Sequence, residues 1–128
     1  MREMYACALV GIGGFFGSIC RYLLARFSAS LLGISFPYGT FIINVFGSLL
    51  LGFLFGFAYA HEFRHERELT LLLGTGFLGG FTTFSTFELE GFSLLTNGHV
   101  TAGTAYLLGS VAAGLAAAAL GAWLGHRL

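Results

Sequence analysis

Four long apolar segments limit what this 128-residue chain can fold into. They cover residues 4–27, 38–60, 69–95 and 100–124, and only short connections separate them. An α-helix needs about 20 predominantly apolar residues to cross the hydrocarbon core of a bilayer. Charged residues make up 9% of the chain, whereas a soluble domain has about 25%. The sequence therefore predicts an all-α membrane protein, a single domain over residues 1–128 with four transmembrane helices.

The charged residues argue against several classes of function. The chain has six basic and six acidic residues, no lysine and a formal net charge of zero. A nucleic-acid partner would need a clustered basic face, so none is expected. No nucleotide-binding loop, paired-carboxylate centre or nucleophile–base pair is present in the sequence, so the chain is not predicted to be an enzyme. The positive-inside rule weakly favours a cytoplasmic location for Arg2, Arg64, Arg67 and Arg127, and it leaves the orientation open.

The third apolar segment is interrupted at residues 79–87 by Gly-Gly-Phe-Thr-Thr-Phe-Ser-Thr-Phe. Non-helical backbone at membrane depth is tolerated only where it is buried in protein or lines an aqueous path. Discontinuous membrane helices bind ions through freed carbonyls and the N-termini of half-helices. We predict a helix to about residue 78, a break, and a second half-helix from about Ser85 with a Ser85–Glu88 capping box. The alternative is a simple glycine kink repaired by threonine hydroxyls.

Two aromatic residues and one amide are candidates for contact with an ion. Phe84 and Phe87 are three residues apart, hence on one helical face, and the positive edges of their rings suit a small anion. The alternative is that they pack in the core. Asn44 has two N–H donors and follows Thr40 by one turn. It could bind an anion or join two helices.

The fourth segment and the end of the first add further polar residues. Tyr106 and Ser110 are four apart and form a hydroxyl track on one face, which Gly114 continues without a polar group. Arg21 could attract anions to a vestibule or extend to the lipid headgroups.

The acidic residues at 88 and 90 leave a second class of function open. A carboxylate inside a membrane span is a functional candidate. A proton-coupled exporter of the small multidrug resistance kind needs a carboxylate in its first helix, where this chain has only Glu3 at the margin. Glu88 would have to serve instead, although a capping box already accounts for it.

The chain resembles the Fluc (CrcB) family of fluoride channels. The resemblance rests on residues 79–87, on Gly13-Gly14-Phe15-Phe16-Gly17 leading to Arg21-Tyr22, on Gly39-Thr40 leading to Asn44 and Gly47, and on four spans in a chain of 128 residues. It implies an antiparallel, dual-topology homodimer in the cell membrane, the inner membrane of a bacterium. It also implies two passive, fluoride-selective pores that export fluoride from the cytoplasm.

The resemblance also assigns residues to roles. It implies a structural sodium ion at the dimer centre, held by the main-chain carbonyls of Gly79 and Thr82 from both subunits. Arg21 would lie in the vestibule. The fluoride pore would be lined by Asn44, Phe84, Phe87, Thr40, Ser85, Thr86, Tyr106 and Ser110. The third track position, often serine or threonine in the family, is Gly114 here.

Overall fold

A computed structural model describes residues 2–61 and 65–128, and within these ranges all regular secondary structure is helical. Arg64, which the orientation argument uses, lies outside the described residues. The helices are α1 (Arg2–Leu32), α2 (Tyr38–Ala60), α3 (Glu66–Leu69), a π-helical segment (Thr70–Leu78), α4 (Gly79–Phe81), α5 (Phe84–Thr96) and α6 (Val100–Arg127).

Three of the described helices, α1, α2 and α6, are long and apolar enough to cross a membrane. This confirms a multi-pass membrane protein. The bounds of α2 agree with the prediction, whereas α1 continues five residues beyond the predicted end at residue 27. It ends where Gly33 adopts a φ of +79° and donates its N–H to the Ala29 carbonyl over 3.0 Å. A left-handed glycine just past the last turn is a common helix stop.

A tight turn at Asn97-Gly98 connects α5 and α6. Gly98 has a φ of +85°, and its N–H bonds to the Leu95 carbonyl over 3.3 Å. The N–H of His99 bonds to the Leu94 carbonyl over 2.9 Å. These two bonds form a Schellman motif, which satisfies carbonyls that the end of α5 would otherwise leave unpaired.

The predicted third span is present as several helical pieces with a bend. Thr82 and Thr83, which we call the break, have extended backbone angles between α4 and α5. The predicted capping box is wrong, because α5 begins at Phe84 and its N-cap is Thr83, whose hydroxyl accepts the Thr86 N–H over 3.4 Å. Ser85 therefore lies inside the first turn, and Glu88 has no position from which to cap the helix.

Small residues bring the helix backbones into direct contact, which is typical of helices that associate in lipid. In the α2–α6 pair, which packs most extensively, a Cβ added at Gly52 or Gly121 would overlap a carbonyl oxygen of the opposite helix. On the other side of the molecule, Gly13 and Gly17 of α1 lie against the backbone of Phe77 in the π-helical segment. These contacts fix α1 and α2 on either side of the break.

We expect Gly121→Ala to destabilise the protein and Gly109→Ala to leave it unchanged. The added methyl at residue 121 meets the Leu49 carbonyl, whereas nothing lies within 4 Å of a Cβ at residue 109 of the same helix. Overpacking costs about 1–3 kcal/mol. The free energy of unfolding in mixed detergent micelles measures the difference, and equal values for the two variants would contradict the packing described above.

Candidate functional site

The break is held by the side-chain amide of Asn44 on α2. Its Nδ2 donates to the Thr83 carbonyl over 2.9 Å, and the Thr83 N–H donates to its Oδ1 over 2.8 Å. One asparagine thus satisfies both backbone polar groups of an extended residue. Of the two interpretations of Asn44, the structure shows the one in which the amide joins two helices. Its contact with an anion stays a prediction.

The break leaves several carbonyls without their usual helical donors, among them those of Gly79 and Thr82. In a continuous α-helix the N–H of Thr83 would bond to the Gly79 carbonyl and that of Thr86 to the Thr82 carbonyl. Here the first donor bonds to Asn44 and the second to the Thr83 hydroxyl. The carbonyls of Gly79 and Thr82 are therefore available as oxygen ligands, and Gly79 is exposed on the single chain.

Arg21 lies against the break and does not extend to the end of its helix. Its Nε donates to the Gly80 carbonyl over 3.1 Å, and the side chain is half-buried. Gly80 itself lies close to α1, because an added Cβ would approach the Gly14 carbonyl oxygen to 2.7 Å. The structure therefore shows a structural contact for Arg21, and its predicted role in a vestibule is not tested by it.

An open groove of about 390 Å³ runs beside the break between α2, α5 and α6. Its polar lining comes from Asn44, Ser48, Thr82, Thr83 and Ser110, and its aromatic lining from Phe84 and Phe87. The two rings lie 6.0 Å apart between centroids. Phe87 is 7% exposed and Phe84 is 74% exposed, so one ring is fixed in the protein and the other lies at the open side.

Ser110 and Gly114 both line this groove on α6, at the predicted hydroxyl track. The Ser110 hydroxyl is buried and has no hydrogen-bond partner among the described residues. A buried hydroxyl without a partner is uncommon and calls for an explanation, such as an ion or water. A Cβ at Gly114 would lie 3.7 Å from the Ser48 hydroxyl, an ordinary contact distance.

Four predicted pore residues lie outside the lining of the groove. Ser85 is exposed in the first turn of α5, and Thr86 accepts a 3.0 Å hydrogen bond from the Thr83 hydroxyl. Thr40 and Tyr106 are 5% and 1% exposed, and both contact a third residue, Glu90. The predicted pore residues thus form one group in the groove and one pair around Glu90, and Ser85 and Thr86 belong to neither.

Glu90 is the functional candidate that the sequence reasoning missed. The Thr40 hydroxyl donates to its Oε1 over 2.9 Å, and the Tyr106 hydroxyl donates to its Oε2 over 2.7 Å. The carboxylate therefore links α2, α5 and α6, and it lines a second cavity of about 280 Å³. Glu88, which the sequence analysis favoured, is exposed. The overlooked signal is helical register, since Glu90 follows the buried Phe87 by three residues and shares its face.

The fold and the site define a multi-pass helical membrane protein with a discontinuous helix and an uncharged groove beside it. Comparison with known sequences identifies the family within this class. The profile of the CrcB-like protein family, described as camphor resistance (CrcB), matches residues 8–122. The chain belongs to this family.

Curated relatives cover most of the chain. The sequence is 45% identical over 103 residues to a protein of Clostridium perfringens, with 80% of each chain covered. It is 44% identical over 114 residues to one of Rhizobium etli, covering 89% of this chain and 90% of the relative. It is 42% identical over 120 residues to one of Dehalococcoides mccartyi, covering 94% and 92%. Each relative is named fluoride-specific ion channel FluC.

These names agree with the expectation that the chain is not an enzyme, because ion channels carry out no chemical conversion. The names of the relatives give no support to the alternative function, a proton-coupled exporter that uses Glu88. The resemblance inferred from residues 79–87 is confirmed by the family match, since that segment lies inside the matched range.

We expect Glu90→Ala to destabilise the protein by about 1–3 kcal/mol, because it leaves the buried hydroxyls of Thr40 and Tyr106 without their acceptor. Glu88→Ala on the same helix is the matched control, and its effect should stay within about 0.5 kcal/mol. Unfolding of the purified variants in detergent measures both values. A larger loss for Glu88→Ala than for Glu90→Ala would refute the assignment of the structural carboxylate.

Proposed function

We propose that this protein is a fluoride-selective passive channel that exports fluoride from the cytoplasm. The observation that carries the proposal is the groove beside the break, with two phenylalanine rings and a buried, unpartnered serine hydroxyl along it. The names of relatives 42–45% identical in sequence support fluoride as the ion.

The chemistry of the groove suits a small, strongly hydrated anion. A pore must replace the hydration shell of its ion and still let the ion leave. Ring edges of Phe84 and Phe87 and the hydroxyl of Ser110 are weak donors that together can do this. A guanidinium would bind the anion more firmly, and Arg21 is engaged by Gly80 instead.

The channel is proposed to act as an antiparallel, dual-topology homodimer with two pores. The groove is open on one side of the single chain, and Phe84 at that side is 74% exposed. A second copy would close each groove, and the pieces from α3 to α5 would supply the fourth crossing of each subunit. Opposite orientations of the two copies are compatible with the weak arginine bias of the sequence.

A sodium ion at the centre of this dimer fits the residues present. The carbonyls of Gly79 and Thr82 lack their helical donors, and carbonyl oxygen is a suitable ligand for a hard monovalent cation. Both carbonyls would hold the ion together with their copies in the second subunit. When bound, the ion would add positive potential near the pores and link the two broken helices.

We expect the purified protein in liposomes to release fluoride rapidly and chloride hardly at all. Phe84→Ile should reduce fluoride release by at least tenfold, because the branched alkyl group lacks a positive ring edge. Phe92→Ile is the matched control, since Phe92 is also exposed on α5 and does not line the groove. Fluoride-selective and chloride-selective electrodes give the rates. Equal rates for the two ions, or equal losses in both variants, would refute the proposal.

Ser110→Ala tests the hydroxyl track without disturbing the fold. We expect stability to change little, because the hydroxyl has no protein partner in the described structure, and fluoride release to fall about two- to tenfold through the loss of one donor. Thr104→Ala, at an exposed position of α6, should alter neither. The substitution Asn44→Asp is a less specific test, since it also removes the amide donor that holds Thr83. Unchanged fluoride release in Ser110→Ala would show that the Ser110 hydroxyl does not contact the permeating ion.

A further inference from the structure

Four carbonyls of the break and its approach fall into two pairs. Those of Gly80 and Thr83 accept hydrogen bonds from the side chains of Arg21 and Asn44. Those of Gly79 and Thr82 lose their helical donors. Side chains from two different helices therefore occupy the carbonyls that follow directly after the two available to a ligand.

Arg21 donates to the Gly80 carbonyl from a fixed position on α1. Gly17, one turn earlier on α1, lies against the Phe77 carbonyl, and Gly14 lies against Gly80. The backbone of α1 therefore cannot move away from the segment without losing both contacts. The Nε–H of an arginine is a directional donor in a planar group, which makes it suited to hold one chosen carbonyl.

We propose that Arg21 is a positioning residue for the cation site of Gly79 and Thr82, and that it acts by occupying the Gly80 carbonyl. This inference rests on the proposed sodium ion and dimer, and it differs from a vestibule role in which Arg21 acts on anions through its charge. The positioning role stabilises the backbone geometry in which carbonyls 79 and 82 are the ligands.

The two roles predict opposite effects on the binding of sodium. A guanidinium close to a cation opposes the binding of that cation by Coulomb repulsion. If Arg21 acted on the site through charge alone, its removal would therefore tighten sodium binding. If it positions the carbonyls, its removal weakens sodium binding, because the Gly80 carbonyl and the adjoining peptide planes are released.

The experiment titrates sodium against the stability of the purified dimer, with N-methyl-D-glucamine as the replacing cation. The fraction of dimer captured by chemical cross-linking after mild heating gives a midpoint concentration of sodium. Arg21→Gln and Arg21→Lys are compared with Arg26→Gln, which removes the same charge from α1. Arg26 is a suitable control because it is exposed and its guanidinium bonds to Tyr22 of its own helix over 3.1 Å. Fluoride release is measured in parallel at each concentration.

We expect Arg21→Gln to raise the sodium midpoint about tenfold, the effect of losing one charge-assisted hydrogen bond. Arg21→Lys should fall between this variant and the wild type, and Arg26→Gln should match the wild type. Fluoride release by Arg21→Gln should recover when sodium is raised. An unchanged or lowered midpoint in Arg21→Gln overturns the inference and leaves the proposed channel intact.

Two further results of the sodium titration also decide between the roles. If the wild-type dimer does not depend on sodium, the proposed cation site fails and this inference fails with it, whereas fluoride-selective release would still support the channel. If Arg21→Gln forms no dimer at any sodium concentration, Arg21→Lys decides, with a raised midpoint supporting the positioning role and an unchanged midpoint overturning it.

Discussion

The pairing of the Asn44 amide with the backbone of Thr83 is the interaction on which the rest of the structure depends. Lipid offers no partner to a peptide group that leaves a helix, and each unsatisfied group costs several kcal/mol. Asn44 supplies both an acceptor and a donor at 2.8 and 2.9 Å. Because the Thr83 N–H is taken in this way, the Gly79 carbonyl is released. The stability of the break and the availability of the Gly79 carbonyl as a ligand thus follow from the same two hydrogen bonds.

This pairing requires α2 to lie at a fixed height and distance from the broken helix. Glycine residues of α2 allow this close approach. A Cβ at Gly47 would overlap the Thr82 side chain, and Gly52 and Gly56 lie against carbonyls of α6. In lipid there is no hydrophobic force to press helices together, so close backbone contact contributes much of the association. The glycines that let the chain pack therefore also position the amide that lets the third helix break.

The parts of the fold that depend on local chemistry could be predicted from the sequence, and those that depend on contacts between helices could not. The apolar segment at residues 38–60 predicts the bounds of α2 correctly. The start of α5 was predicted one residue late, because Thr83 and Ser85 are both good N-cap residues and only the contact with Asn44 selects the first. The register of Glu90 with Phe87 indicates that it faces the protein, but its partners on α2 and α6 are contacts between helices that the sequence does not specify.

The charges within the helices explain why the groove can remain uncharged. None of the described residues that line it carries a formal charge. Two charged side chains within the helices are engaged outside the groove, Arg21 with the Gly80 carbonyl and Glu90 with two hydroxyls. A full positive charge in the groove would retain an anion, and a full negative charge would repel it. Because each charge is paired with neutral groups outside the groove, the lining of the groove can consist of weak donors alone.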